Sequence, residues 1–141
     1  MTETISRVNT FKNEEYKENL KNAINAFEHY FKNYENDLLA IRINPRLSDH
    51  EKKYQIEESK QANILSIADE VTQELSNISF REKAYSDFFK YVHIKLKSNA
   101  TIEKAVINAV IYELYKLDRK NFEGIIDNAN RTYKLDNILR K

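Results

Sequence analysis

Cysteine and tryptophan are missing from this 141-residue chain, and glycine and proline occur once each. Without cysteine there is no disulfide, no thiolate nucleophile and no thiolate-bound metal. β-architectures turn every several residues and consume glycine and proline at those turns, so a chain with one of each must be built from few, long elements. That composition predicts an all-α protein. No apolar run approaches the roughly 20 residues of a membrane span, so no membrane partner is expected. The opening stretch MTETISRVNTFKNEEY has no apolar run either, so no signal peptide is expected, and the chain is assigned to the cytoplasm.

Catalytic patterns are missing as well. There is no glycine-rich phosphate loop, no G-x-S-x-G, no H-E-x-x-H and no EF-hand loop. The three histidines are His29, His50 and His93, and the residues three positions before them are Ala26, Leu47 and Lys90, so the Glu-x-x-His of di-iron bundles does not occur. The expectation is therefore a protein that is not an enzyme and has no catalytic residues, no metal and no cofactor.

Hydrophobic residues make up 41% of the chain, enough for a core despite 32% charged residues, and the length suits one domain over residues 1–141. The net charge of +1 conceals two opposite halves: residues 1–79 carry ten Lys/Arg and fourteen Asp/Glu, while residues 80–141 carry thirteen and eight. Such halves attract each other within a fold, or give the surface two faces. The richness in Asn, Lys, Ile and Tyr matches an A/T-rich coding bias, as in low-GC bacteria and their phages.

Residues 1–12 lack helical periodicity and read as an arm that is loose or docks late. From about Glu14 to Ile43, Leu20, Ile24, Phe27, Phe31, Tyr34, Leu38 and Ile41 are spaced alternately four and three apart, predicting one helix about 45 Å long. Its central layers are aromatic, which suits a bundle better than a tight two-stranded seam. Pro45 ends this helix, because it disfavours helical geometry at Asn44 and cannot continue the hydrogen-bond ladder. Ser48-Asp49-His50-Glu51 then reads as a capping box that opens a second helix, about Asp49 to Asn77. A stop and a start so close together make an antiparallel hairpin over residues 14–77.

Ser79-Phe80-Arg81-Glu82 reads as another capping box, opening a third helix at about Phe80 to Lys97. A fourth, capped by Asn99 or Thr101, runs to about Glu123. It carries two apolar stripes, with Ile102, Val106 and Val110 on one and Ile107, Ile111 and Leu114 on the other, which predicts a central position. Gly124 is placed as its C-terminal cap, and a fifth helix covers about Ile125 to Leu139. The architecture expected is an antiparallel bundle of four to five helices built on the long hairpin, with three shorter helices over residues 80–139.

Two groups of residues could form a binding site. At the hairpin tip Leu39, Ile41, Ile43, Leu47, Tyr54 and Ile56 stand among Arg46 and other charges, the apolar-centre, charged-rim pattern of protein interfaces. The other group is basic: Lys83, Lys90 and Lys97 recur at heptad spacing with His93 on the same stripe, and Arg131 and Lys134 follow. With aromatics between them, such residues could contact nucleic acid, although the chain is far from the strongly basic balance of most nucleic-acid binders. The expected function is non-catalytic binding of another protein, as in a bacterial or phage inhibitor or accessory protein. A nucleic-acid-binding regulator is the alternative, and self-association through the first helix is compatible with either.

Overall fold

The computed structural model describes residues 2–76 and 78–133, and the side chains of 14–76 and 78–131. Among the described residues there are five helices and no strand: α1 (Thr2–Arg42), α2 (Asp49–Ser76), α3 (Arg81–Leu96), α4 (Ala100–Leu117) and α5 (Arg119–Tyr133). The chain is an all-α helical bundle. α1 and α2 form the long antiparallel hairpin, α4 lies along α2, and α5 lies along α3.

The start of α1 differs from expectation. Residues 2–12 are helical, so the arm is the first turns of α1 and the helix is about 60 Å long. No Gly or Pro interrupts this stretch, and extending an existing helix needs no new nucleus. The other ends follow local chemistry. The Ser48 hydroxyl accepts the Glu51 N–H at 3.1 Å, as the first capping box predicts. Asn99 caps α4, accepting the Ile102 N–H at 3.2 Å. The second capping box does not form: α3 begins at Arg81 with Phe80 at its N-cap, and no side chain caps it.

α4 is shorter than expected and ends at Leu117. Asp118 breaks it, with φ −140° and ψ 64°, its N–H bonded back to the Leu114 carbonyl. The Asp118 carboxylate accepts from the Asn121 amide at 3.0 Å and lies 3.4 Å from Arg81. Gly124 is consequently not a cap but an interior residue of α5. A Cβ there would lie 3.1 Å from the carboxylate at the end of the exposed Glu82 side chain, which marks a close approach of α5 to α3. The Asn128 amide fastens that approach, donating to Ser86 Oγ at 2.7 Å and to the Glu82 carbonyl at 3.2 Å.

The centre of the bundle is α3, not α4. α3 packs against all four other helices, whereas α4 meets only α2, α3 and α5. α3 buries Tyr85, Phe88, Phe89 and Val92 completely or almost so. On α4, Ile107 and Leu114 are buried but Ile111 is only half-buried, so the second stripe is partly a surface, and Leu117, on the first stripe, is largely exposed at the helix end. Phe27 of α1 meets Phe88 and Tyr91 of α3 edge-on, with ring centroids 6.2 and 6.1 Å apart. Polar side chains stitch the same seam: the Tyr16 hydroxyl donates to Asp87 and the Tyr91 hydroxyl to Glu28. Inside, Tyr85 shares a 2.7 Å hydrogen bond with Ser76. Burial raises its phenol from 10.0 to about 12.

Candidate protein-binding arm

Burial along the hairpin changes abruptly. On α1 the last buried residue is Phe27, and on α2 the first is Ile64. Between them the two helices run on as an arm: Phe31 and Tyr34 still pack against the core, while Leu38, Ile41 and Ile56 are half-buried beyond it. The N-terminal turns of α1 lie at the far end of a continuous helix, so they do not fold back over the tip.

The tip is fixed by local hydrogen bonds. The Ile43 N–H reaches the Leu39 carbonyl at 3.2 Å, and the Asn44 N–H the Ile41 carbonyl at 3.3 Å. Asn44 Oδ1 accepts the Arg46 N–H at 2.9 Å, an Asx turn around Pro45. The Lys52 ammonium donates to the Arg42 carbonyl at 3.0 Å, satisfying an orphan acceptor at the negative end of α1. Lower on the arm the Ser59 hydroxyl donates to Asp37 at 2.8 Å.

On this frame Leu39 is 63% exposed, Ile43 71% and Tyr54 67%. Ile41, Leu47 and Ile56 are half-buried and Arg46 is exposed. The sequence-predicted residues do not form one patch. Ile41 and Tyr54 line a shallow groove between the helices with Asp37, Ala40, Gln55 and Glu58. Leu39 and Ile43 lie outside that groove, on the other flank of α1.

The basic group is less continuous than its spacing suggests. Lys83, Lys90 and Lys97 are exposed along one side of α3. However, the Lys83 ammonium sits 4.8 Å from the Tyr16 ring centre, turned toward α1. His93 Nδ1 lies 2.9 Å from the carboxylate of Glu103, a buried residue in the first turn of α4. Arg131 is exposed on α5, and Lys134 lies outside the described residues. Among the described residues, no group of three His, Asp or Glu side chains could hold a metal ion, and no helix is long and apolar enough to cross a membrane.

A further surface lies among the later basic residues and the aromatics interleaved with them. Tyr112, Tyr115 and Leu117 are exposed at the end of α4. Lys116 lies 4.9 Å over the Tyr112 ring, Arg119 lies 5.1 Å over Tyr115, and Tyr115 meets Phe122 edge-on at 5.2 Å. The signal was the four-residue spacing from tyrosine to cation, which places the pair on one helical face. Each of these rings carries one of the chain's own cations, yet Tyr112 remains 62% and Tyr115 45% exposed.

Compared with known families, curated proteins and solved structures, the chain matches no family model, no curated protein and no solved structure.

Proposed function

We propose that this chain is a non-catalytic binding module which holds another protein on its helical arm, working in the cytoplasm as an inhibitor or accessory factor of a bacterium or phage. One observation carries the reading: Leu39, Ile43 and Tyr54 stand largely exposed at the tip of the hairpin. Exposed aliphatic and aromatic side chains with a charged rim are what interface centres are made of, and a few such anchors carry most binding energy. The nucleic-acid reading is weaker, because Lys83 and His93 are engaged within the fold.

The test is capture from a native lysate by the wild-type chain, Leu39→Ala and Tyr54→Ala, alongside their melting curves. The expected result is a protein held by wild type and lost, or held at least several-fold more weakly, by variants that melt normally. Variants that capture the same protein as well as wild type remove the arm as a functional surface. Recovery of nucleic acid, displaced by salt as phosphate contacts require, would favour the basic residues instead.

A further inference from the structure

We infer that the groove between α1 and α2 near the tip seats a basic amphipathic helix of the partner protein, its apolar stripe on the floor and Lys or Arg along both edges of that stripe. The inference rests on the reading of the arm as a protein-binding surface and names the chemistry of what it holds. α1 contributes Asp37, Ala40 and Ile41 to the groove, and α2 contributes Tyr54, Glu58 and Ala62 among others. Ala40 and Ala62, one from each helix, carry only a methyl group, so another helix can come close. Ile41, half-buried, and Tyr54, 67% exposed, offer it apolar contact. Leu65, 59% exposed and one turn beyond Ala62 on the same side of α2, prolongs the apolar strip.

Two features fix the occupant. The groove is walled by helices whose backbone groups are bonded internally, so it offers no strand edge to an extended segment. A helix, which satisfies its own backbone, is what such a groove accepts. The second feature is charge of one sign. The lining carries two carboxylates, Asp37 on the α1 wall and Glu58 on the α2 wall, and no cation. Asp37 accepts from Ser59 at 2.8 Å and keeps further acceptor capacity, and Glu58 is exposed. Two neighbouring cations are engaged elsewhere, Lys60 with Glu57 at 2.7 Å and Lys52 with the Arg42 carbonyl at 3.0 Å. With one carboxylate on each wall, the complement is a cation on each edge of an apolar stripe, which describes a basic amphipathic helix.

The strip from Tyr54 to Leu65 is about 16 Å long, roughly three turns of the incoming helix, a small contact of the kind found in weak complexes. Leu39 sits about 100° around α1 from Ala40 and stays open to the rest of the partner.

The probe is a fluorescent peptide of about 18 residues, long enough to hold a helix, with Leu and Ala on one face and Lys on both edges of that face. Its counterpart has Glu at every Lys. Fluorescence anisotropy with the full chain at low salt should show saturable binding of the Lys peptide with a Kd of about 1–100 µM, and binding of the Glu peptide at least about tenfold weaker. Glu58→Lys and, separately, Ala40→Arg should each weaken the Lys peptide at least about fivefold with helicity intact, since both positions are exposed. Glu35→Lys makes the same charge change at an exposed position of α1 outside the groove and should alter binding less than about twofold. No saturable binding, equal losses in Glu35→Lys and Glu58→Lys, or a Glu peptide held as tightly as the Lys peptide overturns the inference. So does sedimentation of the full chain as a dimer that Glu58→Lys abolishes, which would put a second copy in the groove. Lysate capture that needs Leu39, with the Lys peptide unbound, would leave the proposed function standing and remove only this occupant. The Lys peptide held at Glu58, with lysate capture indifferent to Leu39→Ala and Tyr54→Ala, would do the reverse.

Discussion

The base and the arm of one hairpin share one apolar repeat and have different fates. At the base, Ala23 and Phe27 of α1 face Ile67, Ala68 and Val71 of α2, and none of these is more than 1% exposed. Over the next one to four turns, Phe31, Tyr34, Leu38 and Ile41 continue the pattern, yet each is only half-buried. The difference is the third layer. α3 packs on both hairpin helices and α4 on α2, and among the described residues full burial ends at Phe27 on α1 and begins at Ile64 on α2. A heptad pattern states which face is apolar; the number of helices brought to that face decides how much water leaves it.

The largest expected effect breaks or keeps this contrast directly. Phe27→Ala should cost about 3–5 kcal/mol, because it opens a cavity against Phe88 and Tyr91. Tyr34→Ala, at an equivalent place in the repeat, should cost only about 1 kcal/mol, because its half-exposed site leaves no sealed cavity. Urea denaturation of the two variants decides it. Equal losses would mean that the arm is as closely packed as the base.

The base also holds a phenol whose ionisation opposes folding. Burial pushes Tyr85 up to about 12 from an ordinary 10.0, while the unfolded chain releases that proton near pH 10. Between those values the unfolded state holds fewer protons, so stability is intact below about pH 10 and falls toward pH 12, by up to roughly 2–3 kcal/mol. Tyr91, also raised to about 12 by burial and by its bond to Glu28, adds to the fall in the same window. Tyr85→Phe should flatten this alkaline limb while costing about 1 kcal/mol at neutral pH for the bond to Ser76. An unchanged slope between pH 10 and 12 would show that Tyr85 is not sealed in the base.

The two serines proposed as caps separate the ends of the hairpin more finely. Ser48→Ala should cost about 0.5–2 kcal/mol, because the Glu51 N–H loses its acceptor. Ser79→Ala should stay within about 0.5 kcal/mol, since Phe80 occupies the N-cap of α3 and no side chain caps it. The denaturation midpoints of the two variants measure the difference, and equal shifts would restore the second capping box.

These outcomes also mark what the sequence could disclose. The helix count, the hairpin, the stop at Pro45 and the cap at Ser48 depend on residues close together in the chain, and all were legible. The centre of the bundle was not. α4 carries the more apolar sequence, but Tyr85, Phe88 and Phe89 of α3 decide the core because their partners come from every other helix, a fact of tertiary contact. Gly124 was misplaced for a similar reason. It lies inside α5 where that helix comes close to Glu82, far away in sequence, whereas the break before α5 falls to Asp118. At the tip, the apolar residues were found but not their division into a groove and a flank, which depends on how α1 and α2 are rotated against each other.

The smallest expected effect on stability is the one that gives the arm its meaning. Leu39→Ala and Tyr54→Ala remove large apolar side chains, and at the base such changes would cost several kcal/mol. Here both side chains are about two-thirds exposed already, so little of their apolar area leaves water on folding, and each loss should stay within about 0.5 kcal/mol. Leu47→Ala, half-buried in the turn, should fall slightly above them. Thermal melts of the three variants at low protein concentration, where no association contributes, measure this. Indifference of the fold to their removal would leave these side chains free to serve the proposed binding role. A drop of 2 kcal/mol or more in either exposed variant would instead place these residues in a core extending to the tip, and the contrast between base and arm would be lost.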